Sequence, residues 1–183
     1  MTSERRTRDL VAAPNLFTGA DVAEILRERG WTVGEVFSPE LQAWYERAAG
    51  LLGSHVADRV GLSDLLELIF QYDARSVLSR VESHAVLARY GAREVVRRLA
   101  LLLLDGGPLN SERFKVIITT MKEGSDLRSR DLFHPIRLAL AGRAGEGELD
   151  RVILLIDEAA ALPFAVAVKP ARARILEFCS ALD

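Results

Sequence analysis

The stretch Asp131-Leu132-Phe133-His134-Pro135-Ile136-Arg137-Leu138-Ala139-Leu140-Ala141-Gly142-Arg143, with Gly147-Glu148-Leu149 just beyond it, carries its own punctuation. Proline suits the first turn of a helix, where its missing N–H leaves no bond unmade. The spacing therefore predicts a helix proper from Pro135, with Asp131 to Phe133 leading in. Gly142 fits a left-handed terminator, and Leu138, Leu140 and Ala141 would pack on a neighbouring helix.

Outward from this segment the same helical punctuation repeats. Thr18, with Asp21 three residues on, predicts a capped first helix that Gly30 stops. Ser38-Pro39-Glu40 is a second start, followed at helical spacing by Leu41, Trp44, Tyr45, Ala48 and Leu52. Ser63 is a third cap, before the dense apolar run Leu65 to Phe70, which reads as largely buried. One or two helices span Arg75 to Tyr90, with Val77, Leu78, Val81, Val86 and Leu87 inward. Arg93 to Leu104 turns wholly apolar in its second half, which predicts a core position, and stops at Asp105-Gly106-Gly107-Pro108. Asn110 or Ser111 caps a helix ended by Gly124. Further helices are expected from about Gly147 to Leu162 and from Pro170 to Leu182, with Phe164 to Val168 as a short extended piece. The expected fold is all-α, a helical bundle or cage of about eight helices. Residues 1–17 are expected to form an arm and 18–183 one domain, with possible subdomains 18–107 and 108–183.

Composition narrows the classes. Nearly half of the 183 residues are apolar, enough for a core. The longest apolar burst, Leu99 to Leu104, has six residues, far short of the roughly 20 a membrane span needs. A single cysteine, Cys179, forms no internal disulfide, and no Cys/His cluster has zinc spacing. No apolar stretch follows the N-terminal charges, so the expected location is the cytoplasm. Neither a metal nor a cofactor is expected.

Net charge is −2, yet its distribution is uneven. Six arginines stand between Arg75 and Arg98 against Glu82 and Glu94, and seven basic residues between Arg113 and Arg143 against three acids. Ala144 to Leu162 holds five acids against Arg151. This pattern could form one basic face on a near-neutral molecule, or simply solvated helix surfaces. No phosphate-cradling glycine motif is present. His55, His84 and His134 are scattered. Ser83-His84 beside Glu82 are helix neighbours that point different ways, Cys179 reads as a structural thiol, and Asp157-Glu158 read as solvated acids. No catalytic residue is assigned.

The segment 131–149 resembles the closing signature of bacterial glutamyl-tRNA synthetases, a Leu-Phe-x-Pro-Leu-Arg-x-Ala-Leu-Thr-Gly run followed by Gly-Pro-Glu-Leu and an apolar helix. Leu132, Phe133, Pro135, Arg137 and Gly142 carry the match. A looser likeness runs from Ser38-Pro39-Glu40-Leu41 through Val60-Gly61-Leu62-Ser63-Asp64-Leu65 to Phe70-Gln71-Tyr72-Asp73 and is similar to the same family's anticodon-binding region. Ala141 stands for the usual Thr and Gly147 for the usual Pro, and the chain after Ile156 departs from the family's ending. No His-Ile-Gly-His-like or Lys-Met-Ser-Lys-Ser-like motif is present, so the resemblance implies an anticodon-binding fold without the means to charge tRNA alone.

What the resemblance implies for function is a non-catalytic module that binds tRNA, with arginines on phosphates and stacking on unpaired bases. The candidate contacts are Arg128, Arg130, Arg137 and Arg143, with Arg93, Arg97 and Arg98 as a second set. Arg137, flanked by core positions, has the competing role of bonding a neighbouring helix. The alternative is a protein-interaction or regulatory scaffold, in which a synthetase or another protein subunit is the partner. The arm arginines Arg5, Arg6 and Arg8 could serve either.

Overall fold

A computed structural model describes residues 15–34 and 38–183; most of the expected arm, with Arg5, Arg6 and Arg8, lies outside the described residues. Ten α-helices occur among the described residues: α1 (Gly19–Glu28), α2 (Pro39–Leu52), α3 (Arg59–Phe70), α4 (Ala74–Leu78), α5 (Val81–Leu87), α6 (Ala92–Leu104), α7 (Ser111–Glu123), α8 (Ser129–Ala141), α9 (Gly147–Ala160) and α10 (Ala171–Leu182). The all-α expectation holds. The count exceeds eight partly because the Arg75–Tyr90 stretch divides at Ser79-Arg80 into two short helices.

Two helices form the centre. Pro135 to Ala141 of α8 and Val152 to Ile156 of α9 are buried without a break. An unbroken buried run means neighbours on every side: α8 packs on α5, α6, α9 and α10, and α9 on α2, α3, α8 and α10. An aromatic cluster closes one end. Trp31 stacks on Phe70 at 4.8 Å between centroids, while Trp44 and Phe164 meet Phe70 edge-on. The Trp44 indole N–H donates to the Leu155 carbonyl at 3.3 Å.

The caps follow the sequence in part. The Thr18 N–H donates to the Asp21 carboxylate at 2.7 Å, Ser38 caps α2, and Asn110 caps α7. α3, however, is capped by Asp58, four residues before its first buried leucine, and Ser63 lies inside the helix. Helix α8 begins at Ser129, so Pro135 is interior and does not start it. Full burial of Leu132 holds that extra first turn on the core. The bond forfeited by proline belongs to the carbonyl of Asp131, an exposed residue that water can satisfy.

Other expectations fail for a common reason, that residue type alone does not report direction or partner. Leu101, in the apolar half of α6, is 71% exposed, and Val81 is 81% exposed. Phe164 to Val168 makes no strand; Ala165 instead donates its N–H to the Trp31 carbonyl. Asp157 is not a solvated acid: its carboxylate accepts from the backbone N–H groups of Leu109 and Ala171, joining the α6–α7 connection to the start of α10.

The last carbonyls of a helix have no partner inside it, and at the end of α8 three carbonyls are answered. The Gly142 N–H, at φ +76°, reaches the Leu138 carbonyl, the Tyr72 hydroxyl donates to Ala139 at 2.6 Å, and Arg174 donates to Leu140 at 3.0 Å. Arg174 is fully buried and, among the described residues, has no carboxylate partner. Its other donors reach the carbonyls of Leu68 and Ile69 at the end of α3 and of Lys169, while Tyr72 lies flat beneath it at 4.7 Å. One guanidinium thus closes two helix C-termini, whose partial negative charge replaces a counter-ion. Burial still lowers the Arg174 pKa to about 10 and pushes the Tyr72 phenol far above its usual value.

Candidate nucleic-acid interface

Helix α5 lies along α8 with an arginine at each of its ends. At one end Arg80, the residue before α5, donates to the Gly142 carbonyl at 3.0 Å. At the other end Arg89 meets the Nδ1 of His134 at 3.3 Å. The two helices therefore run antiparallel, and eight residues of α8, about 12 Å at 1.5 Å per residue, separate the two arginine positions.

Around Gly142 the edge is open. Arg80 and the exposed Arg143 line two adjoining clefts, one of about 520 Å³ with Gln71, Tyr72 and Ser76, the other of about 380 Å³ with Glu82 and Ser83. Among the described residues neither arginine makes an ion pair. Around His134 the charges are mixed. Arg130 approaches Glu146 at 3.8 Å, and the His134 Nε2 lies 4.0 Å from the same carboxylate oxygen. That Nε2 is buried, with no hydrogen-bond partner among the described residues. Burial first, and the Arg89 guanidinium second, hold the imidazole pKa below its ordinary value despite Glu146.

The arginines singled out in the sequence do not share one face. Arg137 is turned inward: Nε and Nη2 grip both Asp150 oxygens at 2.8 and 2.9 Å, and Nη1 donates to the Gly145 carbonyl at 2.8 Å. It also lies over the Phe133 ring at 4.9 Å. The packing role is the one this geometry carries out, clamping α8 to the start of α9. Arg128 is exposed but folds back on the carbonyls of Ser125 and Leu127. Arg98 donates to the Thr120 carbonyl at the end of α7. Arg93 lies on the other flank of α6, in a cleft with His84, Leu87 and Leu182 of α10, and Arg97 is exposed on that same flank, where its charge acts on Cys179. None of Arg93, Arg97 and Arg98 pairs with Glu82, Glu94 or Asp126 among the described residues. Of the seven, Arg130 and Arg143 lie on the α5–α8 edge.

Leu132, Pro135 and Gly142 are buried, and Phe133 is half-buried under Lys122 and Arg137. Ser83 and His84 both bond carbonyls at the end of α4, those of Val77 and Leu78. A hydroxyl donating to a carbonyl is not poised as a nucleophile. Arg80 and Arg89 are the edge residues that sequence reasoning missed. Both belong to the basic run, and the signal that pairs them is one short helix lying between them.

Comparison with known proteins finds similarity to glutamate–tRNA ligases. The chain is 32% identical over 62 residues, 34% of its length, to glutamate–tRNA ligase 1 of Ehrlichia ruminantium (strain Welgevonden). It is 41% identical over 59 residues, 32% of its length, to glutamate–tRNA ligase 1 of Bartonella quintana (strain Toulouse). Glutamate–tRNA ligase 2 of Syntrophus aciditrophicus (strain SB) aligns over 134 residues, 73% of the chain, at 23% identity. These alignments span 14%, 13% and 26% of the respective relatives, so the chain matches only a minor part of each. No protein-family model matches the chain, and no solved structure does. Among the described residues no helix is long and apolar enough to cross a membrane, and no group of three His, Cys, Asp or Glu is placed to hold a metal ion.

Proposed function

We propose that this chain is a non-catalytic tRNA-binding module of the kind that reads the anticodon arm in glutamyl-tRNA synthetases. The observation that carries the reading is the similarity to part of several ligases whose names place tRNA among their substrates, in a chain whose described residues form helices and no strand. The α5–α8 edge gives it a mechanism. Arg80 and Arg143 at one end and Arg89 and Arg130 at the other are exposed, spaced to follow a strand over more than one phosphate. Arginine suits that task because its planar fork of donors matches a phosphate's oxygens. The module has no chemistry of its own: Ser83 and His84 are committed to carbonyls, and activation of an amino acid would be the work of another polypeptide or domain.

The scaffold reading keeps one specific observation in its favour. Arg98 and Arg128 bond backbone carbonyls, Arg137 bonds an acid and a carbonyl, and Arg130 approaches Glu146. Titration of bulk tRNA against rising salt separates the two. Phosphate-directed binding falls linearly on a log–log plot as counter-ions compete. Absence of binding at low salt favours the scaffold.

A further inference from the structure

Between the start of α6, the end of α7 and the loop into α8 lies a slot of about 340 Å³ that the α5–α8 edge does not use. Two glycines shape it. Gly91 has φ +76°, and a Cβ there would stand 2.7 Å from Leu127. At Gly124 a Cβ would overlap the Arg98 guanidinium, which lies across that glycine and is fixed by the Thr120 carbonyl. The floor is apolar, from Val95, Met121 and Leu132, all buried. The mouth is polar and of both signs: Arg98 with most of its donors unused, and the exposed carboxylates of Glu94 and Asp126, neither in an ion pair among the described residues. Tyr90 stands at the rim, 91% exposed, an aromatic ring stacked on no other among the described residues.

We infer that this slot binds one unpaired nucleobase, guanine in preference to the others, stacked on Tyr90 with its edge read by Arg98 and the two carboxylates. The inference deepens the tRNA reading and rests on it. A lone ring suits a slot at the lower end of the roughly 300–1,000 Å³ range of small-molecule sites. Guanine offers N1–H and N2 amino donors to a carboxylate, and O6 and N7 acceptors to a guanidinium. Adenine lacks the paired donors and the pyrimidines lack N7. A membrane or an apolar peptide would leave three charged groups unanswered.

The test is methyl NMR of Met121, Leu127 and Leu132 in the whole chain, titrated with GMP, AMP, CMP and UMP, beside tRNA binding by the same protein. GMP is expected to shift these methyls at the lowest concentration of the four. Tyr90→Ala, at an exposed position that leaves the core intact, is expected to weaken GMP and tRNA binding roughly tenfold by loss of stacking. Its salt dependence for tRNA should be unchanged, because stacking releases no counter-ion. Glu94→Gln with Asp126→Asn is expected to abolish the preference for GMP over AMP. Silent methyls with all four nucleotides, or a preference for another base, overturn the inference. If tRNA binds while the slot stays silent, the inference falls and the tRNA reading stands. If GMP fills the slot and tRNA does not bind, the outcome is the reverse.

Discussion

The two ends of helix α8 are built to different standards. At its C-terminus the Leu138, Ala139 and Leu140 carbonyls are all answered, by Gly142, Tyr72 and Arg174 in turn, and the surrounding side chains are buried. At its N-terminus Ser129 holds a left-handed φ of +51°, Arg128 caps with no side-chain bond, and His134 keeps a buried ring nitrogen without a hydrogen-bond partner among the described residues. The contrast teaches that a family-like signature can divide its labour along one helix. Its closing half is architecture, held in place by its own terminating glycine and from two distant parts of the chain. Its opening half leaves charge and unpaired groups near the surface.

The largest effect expected from breaking this contrast comes at Arg174. Arg174→Met fills the space but leaves the Leu68, Ile69, Leu140 and Lys169 carbonyls without that donor. With each abandoned buried acceptor costing about 1–3 kcal/mol, a loss of at least about 3 kcal/mol is expected in urea denaturation. A loss below about 1 kcal/mol would show that water replaces the guanidinium. Tyr72→Phe removes one donor, to Ala139, and is expected to cost about 1–2 kcal/mol by the same measurement.

The open end is probed by pH. Because burial and Arg89 depress the His134 pKa, the unfolded chain takes up a proton there sooner than the folded one as pH falls below about 6.5. Acid therefore removes stability at this position, and none is lost above that range. An NMR titration of the His134 ring is expected to give a midpoint below the ordinary histidine value. His134→Gln is expected to flatten the acid limb of the stability curve. A midpoint at or above 6.5 would mean that Glu146 governs the ring.

Much of the fold was legible because caps and stops are local. Ser38-Pro39, Asn110, Gly124 and Gly142 each act on residues within one turn, so a short window reveals them. The failures needed partners from elsewhere in the chain. Pro135 sits inside α8 because Leu132, in the turn before it, is fully buried in the common core. Leu101 faces outward although its run is apolar, and Val81 faces outward although its side chain is. The break between α4 and α5 has no glycine or proline to announce it. The site was less legible than the fold for the same reason. Nothing in Ala-Arg-Ala-Arg at the start of α10 says that Arg172 is exposed while Arg174 caps two helices, one of them over a hundred residues away. Likewise, nothing near Arg93, Arg97 and Arg98 says that a single helix points them to different flanks. Arg137 was readable as a packing residue from its core neighbours, and its clamp on Asp150 carries out that role.

The α5–α8 edge is most directly tested by the slope of log affinity for bulk tRNA against log salt, measured for the wild-type chain and for Arg80→Gln/Arg89→Gln/Arg143→Gln. Each lost phosphate contact lowers the steepness by about 0.7 to 0.9, so the triple variant is predicted to bind more weakly with a slope shallower by about 2. An unchanged slope, or no binding by the wild-type chain at low salt, contradicts the account.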